Sequence, residues 1–257
     1  MIIPSPSAPA SRKRDLFGDE RERARRYYDA FAPTYEARRD GRTRYHALVD
    51  DLEIDLARAY VDGASVVEIG CGTGLLLRRL AAFAARAEGV DLSPKMLDLA
   101  RARGLSVREG DALALPYADG EFDVAVSFKT LPHVVDLRGA LAEMARVVRP
   151  GGALIAEVYG PSSARAWLKR VLPAARVGDG TERDVFVRFD AQRDVERALP
   201  DRCRIVAIRG IRSIVPVAVA LDLPWLGDAL ARGERAVCDR WFGRTFGGFV
   251  SYVIERR

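Results

Sequence analysis

The stretch Val66-Val67-Glu68-Ile69-Gly70-Cys71-Gly72-Thr73-Gly74 constrains the fold more than any other part of this 257-residue chain. A short β-branched run over 65–69 enters three glycines at alternate positions, and an apolar helical pattern follows over 75–85. Glycine lets a chain turn tightly and lets its backbone approach a ligand, because no Cβ intervenes. Downstream, Gly89-Val90-Asp91-Leu92 closes a second strand over 87–90 and places Asp91 21 residues after Gly70. An acidic residue about that far along is where a carboxylate accepts the hydroxyls of a ribose. Together the two features predict an adenosine-type ligand at the carboxyl ends of parallel strands.

Strands and helices alternate beyond this point. Ser93 is a good N-cap with Pro94 in the first helical position, opening a helix to about residue 101. Strands are expected over 106–109, 122–128 and 153–158, with a helix over 137–148 ended by the turn Arg149-Pro150-Gly151-Gly152. Helices over 162–172 and near 190–199 follow, then strands over 204–209 and 249–254 with a long irregular insertion between them. Short strands separated by helices imply βαβ units and an open sheet with helices on both sides. Ahead of the sheet, Tyr27, Tyr28, Phe31 and Tyr35 recur at helical intervals over 19–39, with Pro33 marking a break. A second helix is expected over 44–60. Residues 1–18 read as a flexible tail and 19–257 as one domain, with 62–158 as its ligand-binding core and 19–60 and 160–245 as cover.

Composition excludes several classes. At 49% apolar and 30% charged, the chain buries a sizeable core and is neither a disordered tract nor a disulfide scaffold. The longest apolar run, Ile214 to Leu221, is interrupted by Pro216 and stops at Asp222, too short to span a membrane. Of the net charge of +5, the first 26 residues supply +3, so the body is nearly neutral. A nucleic-acid enzyme usually carries a basic stripe on its folded part, so no nucleic-acid partner is expected. Cys71, Cys203 and Cys238 are scattered without a CxxC spacing, and no apolar leader is visible. A reducing, cytoplasmic location is the expectation.

The glycine spacing selects the ligand. A dinucleotide site uses GxGxxG with a helix N-terminus facing a pyrophosphate, but here the order is GxGxG and Glu68 stands just before the turn. A carboxylate there repels a pyrophosphate and suits a ligand carrying an ammonium and a sulfonium. At these residues the chain resembles the class I S-adenosylmethionine-dependent methyltransferases, whose signature is an acidic residue followed by GxGxG. The resemblance runs on through Asp91, Ser93-Pro94-Lys95-Met96-Leu97 and Gly110-Asp111-Ala112. It continues in Phe122-Asp123-Val124-Ala125-Val126-Ser127 and in Leu141 through Gly152, covering about residues 62–158. It implies a Rossmann-like, mostly parallel α/β sheet with an antiparallel last strand, an N-terminal helical cover and S-adenosyl-L-methionine as cofactor. The cofactor-binding residues it implies are Tyr28, Tyr35, Glu68, Gly70, Cys71, Gly72, Thr73, Gly74, Asp91, Leu92, Met96, Asp111, Ala112, Leu113, Phe128 and Lys129.

The segment Tyr28-Asp29-Ala30-Phe31-Ala32-Pro33-Thr34-Tyr35-Glu36 is similar to the YDxxAxxYD opening of ubiquinone- and menaquinone-biosynthesis methyltransferases, with Glu36 in place of Asp. In those enzymes an aromatic helix closes over the cofactor. Helical spacing by itself reads Tyr28 and Tyr35 as core aromatics, and Asp91 as a cap of the next helix. Cys71 occupies the variable slot of the glycine motif and reads as small-residue packing. The apolar insertion over 214–226 reads as a buried cover, and 214–245 as a second lid over the cleft.

Methyl transfer from a sulfonium releases a neutral thioether, and no His/Cys/Asp cluster with metal-ligand spacing is present, so a metal-free reaction is expected. After the fourth strand the chain reads Ser127-Phe128-Lys129-Thr130-Leu131-Pro132-His133, not the Asn/Asp-Pro-Pro-Tyr box of adenine methyltransferases, and no cysteine follows a proline. A small organic acceptor with O, N or activated C as target is favoured. His133 is the candidate catalytic base, its other reading being a wall of the cofactor pocket. A cofactor-binding partner subunit without turnover, a nicotinamide-dependent oxidoreductase and an RNA methyltransferase are the alternatives.

Overall fold

The computed structural model describes residues 10–40, 43–164, 166–167, 176–177, 180–181, 185–215 and 217–257. Two helices, α1 (Ala10–Asp40) and α2 (Thr43–Val61), precede β1 (Ser65–Ile69). Then come α3 (Leu75–Ala81), β2 (Arg86–Asp91), α4 (Pro94–Ala102), β3 (Val107–Glu109), β4 (Phe122–Ser127), a 3₁₀ turn (Leu131–His133), α5 (Leu137–Val147) and β5 (Val148–Tyr159). A two-residue ladder pairs β6 (Arg176–Val177) with β7 (Gly180–Thr181), followed by α6 (Gln192–Ala198) and β8 (Cys203–Ile211). A second 3₁₀ turn (Ala218–Asp222), α7 (Leu226–Val237), α8 (Trp241–Phe246) and β9 (Phe249–Arg256) complete the chain.

Seven strands form one sheet in the order β3-β2-β1-β4-β5-β9-β8. The pairs β1–β2, β2–β3, β1–β4 and β4–β5 are parallel, whereas β9 runs antiparallel to both β5 and β8. This is the expected mostly parallel α/β sheet with an antiparallel last strand. Side chains alternate between its faces. Val67, Ile69, Ala125, Leu154, Ala156, Tyr252 and Ile254 join α5 and α6 in one core, while Val66, Val124, Val126, Ile155 and Val253 join α2 and α3 in the other. Burial on both faces explains why β1 and β4 read as continuous apolar runs. Strand order reverses between β1 and β4, and ligands of open α/β sheets bind outside the carboxyl ends at such a switch.

Local sequence explains most element ends. Ser93 caps α4, its hydroxyl accepting from the Met96 N–H (3.2 Å), and Asp136 caps α5 by accepting from the Gly139 N–H (3.0 Å). Four expectations are corrected. First, α1 passes through Pro33 unbroken and begins at Ala10, inside the stretch read as a tail, with residues 1–9 outside the described residues. Pro33 removes one N–H donor but lies exposed, so water can serve the freed Asp29 carbonyl. Second, α3 stops at Ala81, four residues before the expected end. Third, β5 starts at Val148 and takes in Arg149–Gly152, with an irregular register against β4 between Phe122 and Val124. Fourth, the insertion between β8 and β9 is helical rather than irregular. The helix expected over 162–172 lies largely outside the described residues.

Candidate functional site

The β1–α3 turn is built by left-handed glycines: Gly70 has φ 73°, Gly72 53° and Gly74 80°. The Gly70 and Cys71 N–H groups both donate to the Val90 carbonyl at the end of β2 (2.7 and 3.1 Å). At Gly70 a Cβ would stand 2.0 Å from Thr130 Oγ1, so only glycine lets this turn lie against the loop after β4. Ser127 Oγ donates to the Ile69 carbonyl (3.0 Å) and Thr130 Oγ1 to that of Gly70 (3.3 Å), joining the ends of the two central strands.

Asp91 ends β2 beneath this turn. Its carboxylate accepts from the Gly72 N–H and the Ser93 N–H, both at 2.8 Å, and burial pushes its carboxyl above the usual range against those bonds. Ser93 Oγ in turn donates to Asp29 on α1 (2.6 Å), pinning the first helix across the start of α4. Arg103 of the α4 end and Glu36 of α1 form a second tie. Asp111 accepts from the Leu113 N–H (2.9 Å), and Arg21 of α1 pairs with it at 3.3 Å.

Glu68 is 2% exposed, and its Oε2 has no hydrogen-bond partner among the described residues. Burial pushes its carboxyl up to about 8; the nearby Lys129 ammonium opposes this, and the Asp91 and Asp50 carboxylates add to it. A buried carboxyl oxygen lacking a partner is costly unless a ligand supplies one. Lys129, with φ 60°, donates its backbone N–H to Glu157 (3.2 Å) and its ammonium to Glu53 (2.6 Å) and Asp50 (3.3 Å). Burial alone would lower the ammonium, but Glu53 and Asp50 outweigh it and hold Lys129 charged. Arg39 of α1 also pairs with Asp50, and Ser251 donates to Glu157 (2.9 Å).

His133 sits in the 3₁₀ turn after β4. Its Nδ1 is 2.9 Å from the Phe186 carbonyl and its Nε2 3.3 Å from the Tyr159 hydroxyl. Tyr28 packs edge-on against its ring, with centroids 6.1 Å apart.

These elements enclose a cavity of about 340 Å³ at the switch point, within the size range of small-molecule sites. Tyr28, Tyr35, Glu68, Gly70, Cys71, Gly72, Thr73, Asp91, Leu92, Met96, Asp111, Ala112, Phe128, Lys129 and His133 line it. Two expected residues do not. Gly74 is the residue before α3, where a Cβ would meet Leu105 and Ala100, and Leu113 packs against the core under α5. Nor does any described residue of 214–245 line the cavity. That insertion packs on α2 and β8, and Val217, Val219, Leu223 and Trp225 are exposed rather than buried in a lid. The cover comes instead from α1 and from Val185 and Val187. Sequence reasoning missed those two valines, Arg39 and Tyr159. Tyr159 was findable: it ends the strand beside β4, at the same carboxyl edge.

Residues 67–156 match the family model described as a methyltransferase domain. The chain is 36% identical over 150 residues to a demethylmenaquinone methyltransferase of Mycolicibacterium vanbaalenii, covering 55% of this chain and 64% of that protein. It is 33% identical over 112 residues to the O-methyltransferase cnsE of Penicillium expansum, covering 40% and 41%. The alignments thus span less than two thirds of these relatives. Among solved structures, an S-adenosylmethionine-dependent methyltransferase of Thermotoga maritima, described as a possible histamine N-methyltransferase, superposes with a TM-score of 0.61. The match covers 89% of this chain and 99% of that one at 20% identity, a likeness of fold.

Proposed function

We propose that this chain, whose residues 67–156 match a methyltransferase domain, is a class I S-adenosylmethionine-dependent methyltransferase that methylates a small organic acceptor by in-line displacement. The observation that carries this reading is the buried Glu68 carboxyl facing the cavity with an unpartnered oxygen. S-adenosylmethionine carries the ammonium and the sulfonium that such a carboxyl complements, and its sulfonium leaves as a neutral thioether.

The chain's own groups then divide the work. Glu68 holds the positive end of the donor. Asp91, already oriented by two backbone N–H groups, keeps lone pairs for the ribose hydroxyls. Gly70 and Gly72 let the main chain approach, and Asp111, held in place by the Leu113 N–H, borders the adenine end. Tyr28, Phe31 and Tyr35 of α1 exclude water above the donor, and the acceptor enters on the side of His133, Tyr159, Val185 and Val187. Holding an acceptor atom in line about 3 Å from the methyl carbon can by itself contribute ~7–11 kcal/mol to the rate. A nicotinamide dinucleotide fits poorly, because its pyrophosphate would have to lie against Glu68.

The cover gives a direct test. Binding of S-adenosylhomocysteine is expected to slow amide hydrogen exchange in residues 24–39 and 185–187 as well as in the glycine turn. Protection confined to residues 66–134 would show that neither segment closes on the ligand.

A further inference from the structure

We propose that Arg39 of the cover, with Lys129 beside it, binds the carboxylate at the amino-acid end of the methyl donor. The inference rests on the methyl-transfer reading and assigns the part of the donor that Glu68, Asp91 and the glycine turn leave unmatched.

Arg39, near the C-terminal end of α1, and Lys129, in the loop after β4, bring positive charge to the cavity wall. Both side chains are mostly buried. Their counter-charges stand on α2. Asp50 accepts from Arg39 Nη2 with one oxygen and from the Lys129 ammonium with the other (3.3 Å), and Glu53 accepts from the same ammonium at 2.6 Å. Neither Asp50 nor Glu53 lines the cavity. The acids back the two cations from behind, and the cations face the space that a ligand fills. Donors remain for that ligand, because an ammonium has three and a guanidinium five. Asp50 and Glu53 take two from Lys129, and the bond to Asp50 takes one from Arg39. The Arg39 guanidinium carbon also lies 5.9 Å from the centroid of the Tyr35 ring, so an aromatic face helps to place the fork. A planar fork of this kind matches a carboxylate through two parallel bonds.

Position decides which carboxylate is bound. Glu68 on β1 is paired with Val126 on β4, and Lys129 follows in the loop after that strand. The Lys129 ammonium is close enough to oppose the upward push of burial on the Glu68 carboxyl. One end of the cavity therefore offers a negative group and a positive pair side by side. An α-amino acid carries its ammonium and its carboxylate on the same carbon, and S-adenosylmethionine ends in such a group. With the ammonium toward Glu68, the carboxylate falls toward Lys129 and Arg39. An anionic group on the acceptor would satisfy the same cations only by leaving the donor's own carboxylate buried without a partner, which is costly. The consequence reaches the cover. A carboxylate held by both cations is shared between α1 and the loop after β4, so a complete donor ties down the last turns of α1.

Calorimetry with two ligands tests this: S-adenosylhomocysteine, and its decarboxylated analogue, in which a hydrogen replaces the carboxylate. The unaltered chain should hold S-adenosylhomocysteine roughly 10–100-fold tighter than the analogue, the worth of hydrogen bonds between charged groups. Arg39→Met should remove most of that preference, by weakening S-adenosylhomocysteine and leaving the analogue nearly unmoved. A substitution that merely loosens the cover would weaken both ligands alike and leave their ratio intact. Should Arg39→Met fail to fold, Arg39→Gln, which keeps hydrogen-bond donors toward Asp50 without the charge, reads the same ratio. Hydrogen exchange adds a second readout: at saturation, amides of residues 35–39 should exchange more slowly in the S-adenosylhomocysteine complex than in the analogue complex. Equal affinities of the unaltered chain for the two ligands, a preference intact in the variant, or equal protection of residues 35–39 in the two complexes would each overturn the proposal. Failure of the unaltered chain to bind either ligand would instead overturn the methyl-transfer reading on which the proposal rests.

Discussion

Replacing Glu68 by Gln should make the ligand-free protein more stable at pH 8.5 while weakening its hold on S-adenosylmethionine. The Glu68 carboxyl ionises near 4.5 in an unfolded chain and at about 8 in the fold, where burial is the dominant cause. A group whose pKa is raised by folding contributes fully below the unfolded value, and its contribution is lost as pH rises through the folded one. Between pH 4.5 and 8 the fold therefore loses stability at about 1.4 kcal/mol per unit, on the order of 4–5 kcal/mol in all. Glutamine keeps the shape without the charge but buries amide hydrogens, which costs about 1–3 kcal/mol if they stay unpartnered. A net gain of about 2 kcal/mol at pH 8.5 should raise the melting temperature by several degrees, and the gain should vanish by pH 5. Binding moves the other way. The donor needs the ionised carboxylate, so parent affinity should fall roughly tenfold per unit below pH 8, with protons released on binding, whereas the variant's affinity should be nearly flat with pH. A variant that melts lower at pH 8.5 and binds as tightly as the parent would remove Glu68 from the site.

Asp91→Ala is expected to lower cofactor affinity roughly 10–100-fold, the worth of hydrogen bonds to a charged group. It should also lower the melting temperature, because the Gly72 and Ser93 N–H groups lose their shared acceptor. Those two bonds set the glycine turn and the start of α4, so the structural and ligand-binding readings of Asp91 are the same carboxylate seen from two sides. Calorimetry with S-adenosylhomocysteine separates them: an unchanged dissociation constant alongside a lowered melting point would leave Asp91 only its capping role.

The parts of the site legible in the sequence are those whose chemistry is local. Glycines at 70, 72 and 74, the acid before them and Asp91 at a fixed distance lie on one strand-turn-helix-strand unit, and their spacing is set by the backbone geometry they serve. The sheet was legible for a similar reason, since strands buried on both faces are continuous apolar runs. What stayed hidden depends on contacts distant in sequence. Lys129 lines the cavity as expected, yet its ammonium is held by Asp50 and Glu53 on α2, partners more than 70 residues away that no local pattern announces. Tyr159 meets His133 only because β4 and β5 are neighbours. The insertion over 214–245 reads as a lid from its apolar content alone, and the structure packs that content elsewhere. Its Leu221 and Cys238 instead join Leu48, Leu52 and Ile211 in a third core that borders the cleft through Tyr159 and Val187. Pro33 misled in the opposite direction, because an exposed proline costs a helix one bond without ending it.

The central claim, that the cavity at the β1–β4 switch takes S-adenosylmethionine and not a dinucleotide, is tested most directly by calorimetric titration of the full chain at pH 8. The chain should bind S-adenosylmethionine and S-adenosylhomocysteine with micromolar dissociation constants and show no comparable binding of NAD or NADH. Tighter binding of either nicotinamide dinucleotide would contradict the account at its base.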